Sequence, residues 1–234
     1  MTDPLVRYEK QDAVSTITLD DGKVNALSPA MFGALNAALD RAESDGSVVL
    51  ITGRAGRFSG GFDLGVFRRG REASVEMLLA GARTARRLLA FPAPVVIASS
   101  GHAIAMAAFL LTTADLRIGV SEAGTRICAN EVEIGLTVPH FAVELCRQRL
   151  TPSAFQRALD LAHVFPPDEA VRAGFLDEVV PAADLSRVAQ ERALALAKLM
   201  RDAHTATKSR VRAQALAALD AAIESDLEDW NQRL

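Results

Sequence analysis

Phe58-Ser59-Gly60-Gly61-Phe62-Asp63-Leu64-Gly65 sets two adjacent glycines a few residues beyond an apolar run and closes on Asp-Leu. The run itself, Val48 to Ile51, is continuous, β-branched and halted by Thr52-Gly53, which suits a strand buried on both faces. The octapeptide therefore reads as a glycine-loosened turn just beyond a buried strand. Downstream, Met77, Leu78, Ala85, Leu88 and Leu89 recur at helical spacing between Ser74 and Phe91, and Pro92 and Pro94 stop that helix. Val95 to Ala98 is a second buried run. Strand, helix and strand in this order imply parallel crossover units and an α/β fold.

Working outward, Val14 to Leu19 is a β-branched run followed by the turn-rich Asp20-Asp21-Gly22. Ser28-Pro29 signals a helix start, since the hydroxyl can accept an exposed N–H and the proline lacks a donor where none is needed. Met31, Leu35, Ala38, Leu39 and Ala42 share one face of that helix. Leu116 to Val120 and Thr125 to Cys128 read as short strands, and from Phe141 onward nearly everything reads as helix. Thr151-Pro152 repeats the helix-start signal, and Gly174 ends a short helix begun near Pro167. Asp184 to Met200 and Thr207 to Leu234 are alanine-rich amphipathic helices. No fixed-period repeat is visible. A boundary near Pro181 is the plausible division, into residues 1–181 and 182–234.

With 234 residues, half of them hydrophobic, the chain can bury one substantial core. No apolar run approaches the roughly 20 residues that span a bilayer. A net charge of -3 with scattered basic residues argues against a nucleic-acid partner. The first residues, MTDPLVRYEK, lack a signal pattern and two cysteines make no disulfide framework, so a cytoplasmic setting is expected. His102, His140, His163 and His204 have no partners at zinc-ligand spacing, and neither a Ser-His-Asp pattern nor a P-loop can be read. No metal site is expected.

Taken together, FSGGFDLG, SSGHAIAMAAFLLTTADLRIG (Ser99 to Gly119) and ANEVEIGL (Ala129 to Leu136) resemble the crotonase superfamily, the enoyl-CoA hydratases and isomerases. ALDLAHVFPPDEAVRAGFLDEVVP, Ala158 to Pro181, resembles its isomerase branch. The resemblance implies a spiral of ββα units with an acyl-CoA site, then a C-terminal helical region that assembles homotrimers or pairs of trimers. It also implies a coenzyme A thioester as substrate and no separate cofactor.

Carried over position by position, the resemblance makes the backbone N–H groups of Phe62 and Met106 an oxyanion hole, a pair of fixed donors for charge developing on the thioester oxygen. Alanine is common at the first position, and the family's glycine triplet reads Ala105-Met106-Ala107 here. Glu131 matches a catalytic glutamate, with Glu133 two residues on as the alternative if the segment is extended. Phe109 stands where hydratases carry a second glutamate, and is expected in the acyl pocket, excluding water and raising the carboxyl pKa. Lys23, Val24, Ala26, Gly60, Asp63 and Leu64 match the CoA-binding segments, and Lys208 a lysine near the nucleotide phosphates. One glutamate suits a double-bond shift from 3-enoyl-CoA to 2-enoyl-CoA better than hydration, which uses two carboxylates. An enoyl-CoA hydratase and a non-catalytic acyl-CoA binding protein are the alternatives, and acyl chain length is not fixed by the sequence.

Overall fold

After an opening hairpin, successive strands are dealt alternately to two sheets. In a computed structural model describing residues 4–233, the chain opens with the antiparallel pair β1 (Val6–Gln11) and β2 (Val14–Leu19). There follow α1 (Pro29–Asp45), β3 (Val48–Gly53), β4 (Gly56–Ser59), the single turn α2 (Leu64–Phe67) and α3 (Arg71–Leu89). Next come β5 (Val95–Ser99), β6 (Gly101–Ile104), α4 (Met106–Leu111), β7 (Leu116–Val120) and β8 (Ile127–Cys128). A 3-10 turn (Val132–Ile134) leads to α5 (His140–Arg147), α6 (Pro152–Leu159), α7 (Pro167–Ala173), β9 (Glu178–Val180), α8 (Ala182–Leu196) and α9 (Arg201–Arg233). Six strands form one sheet in the order β1-β2-β3-β5-β7-β9, and β4-β6-β8 form a second. The units β3-β4-α3, β5-β6-α4 and β7-β8-α5 thus repeat one ββα turn, the spiral that the crotonase resemblance implies.

The centre of the larger sheet is buried on both faces, which is why β3 and β5 read as nearly continuous apolar runs. Ile17, Leu19, Val49, Ile51, Val95 and Ile97 join the main core, whereas Val14, Val48, Leu50, Val96 and Ile118 face a second cluster closed by Leu185, Ala189 and Ala193 of α8. Helix α1 begins as its sequence signals: Ser28 Oγ accepts the Met31 N–H at 3.2 Å, and Met31, Leu35, Ala38, Leu39 and Ala42 are buried. Thr151 precedes α6, but its hydroxyl makes no capping bond.

Three strands carry no legible signal. β1 (VRYEKQ) is a mostly exposed edge, and β4 (GRFS) and β6 (GHAI) are four residues each and contain glycine. The strand expected over Thr125–Cys128 contracts to Ile127–Cys128, because a turn occupies the residues before it. Among the described residues no helix is long and apolar enough to cross a membrane.

Candidate active site

β4 and β6 run parallel with Ser59 opposite Ala103, so Phe62 and Met106 each lie three residues beyond that pair, at the same end of adjacent strands. The first loop is held by its amides on either side of Phe62. Gly60 N–H donates to Val24 O (2.8 Å), Gly61 N–H to Ser59 Oγ (3.1 Å) and Asp63 N–H to Leu27 O (3.4 Å). Phe62 N–H has no acceptor among the described residues. Gly61, at φ 86, is forced to be glycine: a β-carbon there would lie 2.7 Å from Ile104 O.

In the second loop Ala105 N–H donates to Cys128 O (2.8 Å), while Ala105 O accepts Ala108 N–H (2.9 Å) and Phe109 N–H (3.2 Å), which starts α4. Met106 N–H, the first of the helix, is left without an acceptor, as helix starts dictate. Ala105 itself holds φ 51 and ψ -121. The backbone keeps a glycine-like conformation although the glycine is gone, a strain of the kind that collects at functional sites.

β8 delivers Glu131, and the 3-10 turn after it sets which carboxylate faces inward. Glu131 O accepts the N–H groups of Ile134 (3.1 Å) and Leu136 (2.8 Å). In such a turn, residues two apart point to different sides, so Glu133 is exposed while Glu131 is only 6 % exposed. The extended segment that would have placed both on one face is not what forms. Burial raises the Glu131 carboxyl from its ordinary 4.5 to about 7, its own N–H opposing the shift only in part, and Oε2 has no hydrogen-bond partner.

Glu131 and Phe62 line one cavity of about 380 Å³. Phe67, Leu78, Ile104 and Leu136 give it apolar walls, Gly60 and Leu64 belong to its edge, and α9 contributes Asp226, Asp229 and Trp230. From this helix the sequence pointed only to Lys208, and to none of these three residues. His140, at the start of α5, also lines the cavity and lies 3.6 Å from the Asp229 carboxylate.

Two expectations require correction. Phe109 is fully enclosed, stacked edge-on against Phe141 at 6.3 Å, and forms no part of the cavity wall, because α4 turns that face into the core. The rise in the Glu131 pKa comes from its general burial. Lys208 is not free to meet a phosphate: it is 8 % exposed, and its ammonium donates to Asp115 Oδ2 (2.6 Å) and Ala93 O (3.2 Å). Burial, partly offset by Asp115, lowers its pKa to about 8.

Lys23, Val24 and Ala26 lie on the loop that the Asp21 carboxylate gathers, accepting Lys23 N–H (2.7 Å) and Ala26 N–H (2.9 Å). They border the cavity's edge through Val24, which would lie 3.5 Å from a β-carbon on Gly60. The Asp63 carboxylate accepts Gly65 N–H (2.8 Å) and caps α2. Asn25, which sequence reading passed over, is a buried clamp: at φ 54 its Nδ2 donates to Leu19 O (2.9 Å) and Phe58 O (3.0 Å). Asparagine tolerates that backbone region better than most residues, which was the available signal.

Two sheets, parallel apart from the β1 edge and wound in a ββα spiral, with unfilled N–H groups and a buried carboxyl beside one cavity, are the arrangement that the crotonase resemblance implies. A family model described as enoyl-CoA hydratase/isomerase matches residues 9–232, and the chain belongs to that family. A Mycobacterium tuberculosis structure described as an enoyl-CoA isomerase superposes with TM-score 0.93 at 45% identity over 100% of both chains. The rat mitochondrial enoyl-CoA delta isomerase 1 is 29% identical over 76% of this chain, and the match takes in 63% of the rat protein's length. A putative enoyl-CoA hydratase of Thermus thermophilus is 32% identical over 76% of this chain and 71% of its own.

Proposed function

We propose that the protein is an enoyl-CoA isomerase that moves a 3-enoyl-CoA double bond to the 2-position with Glu131 as sole proton carrier. The observation that carries this is the buried Glu131 carboxyl, with a pKa of about 7 and a free Oε2, in a cavity whose other carboxylates are engaged elsewhere, Asp226 by the first N–H groups of α5 and Asp229 beside His140, with phenylalanine rather than a further carboxylate on α4. In this reading the thioester oxygen sits between the Phe62 and Met106 N–H groups. Glu131 takes the proton from C2, and the C–H electrons move through the thioester to give a dienolate whose negative oxygen those donors stabilise. Glu131 then returns the same proton to C4, leaving the double bond between C2 and C3. A carboxyl poised near neutrality is suited to both halves of the transfer.

Lys23, Val24, Ala26, Gly60, Asp63 and Leu64 flank coenzyme A in this reading, at the cavity's edge. The substrate itself carries the thioester, and no further cofactor takes part. Residues 1–181 hold the spiral and the two N–H donors, residues 182–234 mediate assembly as a trimer or pair of trimers, and the protein acts in the cytoplasm. Relatives with a hydratase name support a second reading, in which Glu131 activates water alone.

Purified protein assayed in parallel with trans-3-enoyl-CoA and trans-2-enoyl-CoA separates the readings. Conjugated-enoyl absorbance rising with the first and holding with the second supports the isomerase. A rapid fall with the second would make it a hydratase, and no change with either, alongside CoA binding, would leave a binding protein.

A further inference from the structure

The segment that carries Glu131 is fastened at its far end by a residue 86 positions beyond it. Residues 130–139 run from β8 to α5, and residues 132–137 are exposed, so that little of their own burial fixes them. Upstream, Ala105 N–H holds Cys128 O, and Ile127 exchanges hydrogen bonds with Phe165. Downstream, α5 begins after Pro139, a residue with no side-chain group to accept the first N–H groups of the helix. Asp226 of α9 takes that place. Its two carboxylate oxygens accept His140 N–H and Phe141 N–H, each at 2.8 Å, and the residue is 2 % exposed. It also lines the same cavity as Glu131.

We propose that Asp226 is a positioning residue, which locks α9 to the start of α5 and so fixes the Leu136–His140 wall against which Glu131 and the acyl group are aligned. This rests on the reading of Glu131 as the base. A carboxylate is matched to the place: it offers two charge-assisted acceptors to adjacent N–H groups, and the N-terminus of α5 favours its negative charge. Asparagine would supply one acceptor and set an N–H₂ against the other amide, and alanine would supply none. Released, the wall shifts relative to the carboxyl, and misplacement by about 1 Å is enough to cost on the order of 10²-fold in rate. Val24, Gly60 and Leu64, which flank CoA in the proposed reading, lie on other loops and share no hydrogen bond with this lock.

The test compares Asp226→Ala and Asp226→Asn with wild type in kcat for trans-3-enoyl-CoA, in Kd for free coenzyme A, and in amide exchange at His140 and Phe141. Expected are a kcat loss of about 10²-fold for alanine and about 10-fold for asparagine, Kd within about two-fold, and faster exchange at those two amides. Unchanged kcat in folded D226A would overturn the proposal, as would kcat and CoA affinity falling together in both variants, which would mark general unfolding. E131Q, run alongside, tests the underlying reading separately: if it retains the wild-type rate, Glu131 is not the base, whatever the Asp226 variants do.

Discussion

Gly61 lies so close against Ala105 that a β-carbon on Gly61 would come within 3.0 Å of the Ala105 side chain and 2.7 Å of Ile104 O. This contact brings the two strand ends together and thereby fixes the spacing of the Phe62 and Met106 N–H groups. Gly61→Ala should separate them. With φ at 86 adding backbone strain, kcat is expected to fall by about 10² to 10³, the effect of losing one oxyanion donor. CoA affinity, measured by calorimetry, should change far less.

Ala105 offers the converse experiment. Its φ of 51 with ψ -121 costs on the order of 1–3 kcal/mol for a residue with a β-carbon, while glycine there would lose roughly 0.5–1 kcal/mol through added freedom in the unfolded chain. Ala105→Gly should therefore leave stability unchanged or raise it slightly in denaturant unfolding, with kcat retained. A marked destabilisation would mean that the methyl group's packing outweighs the strain.

Lys208 should prove structural. Lys208→Ala removes one partner of a buried ion pair and leaves Asp115 with Arg212, whose Nη2 lies 2.7 Å from Oδ1. Loss of roughly 3 kcal/mol of stability is expected, at the low end for a broken buried pair because that second partner stays. KM for the CoA substrate should hold within about two-fold. A large rise in KM without loss of stability would return Lys208 to the phosphate site.

Glu131 links activity and stability to pH. Its folded pKa of about 7 lies above the ordinary 4.5, so the folded state binds the proton more tightly than the unfolded one. The resulting stabilisation is fully present below pH 4.5 and is lost as pH rises through about 7, a difference on the order of 3 kcal/mol. Glu131→Gln cannot titrate and should gain on wild type over that interval in parallel urea titrations. Activity runs the other way: kcat/KM should rise with pH through an apparent pKa of about 7, as the carboxylate forms in the free protein.

The legible parts of this fold were those whose neighbours lie nearby or on both sides. β3 and β5 announce themselves because burial on two faces leaves a nearly continuous apolar run, β2 and β7 through their β-branched residues, and α1 because its cap and its apolar face are local. β4 and β6 were illegible, since four residues including glycine hold no pattern and their pairing joins residues far apart in sequence. At the site, Glu131 could be separated from Glu133 only by a turn whose hydrogen bonds are not encoded in residue type. Phe109 and Lys208 were misplaced for a related reason: which way a helix face turns, and which carboxylate meets a lysine ninety-three positions away, are tertiary facts. Asp226 and Trp230 gave no local sign at all.

The central claim, that one enclosed carboxyl carries the proton from C2 to C4, is tested most directly by isotope transfer. A trans-3-enoyl-CoA deuterated at C2 is converted in ordinary water, and the product's deuterium is located by mass spectrometry. Deuterium appearing at C4 in a substantial fraction of the 2-enoyl product is the predicted result. Complete replacement by solvent hydrogen at C4, or a 3-hydroxyacyl product, would contradict the single-carboxyl shuttle.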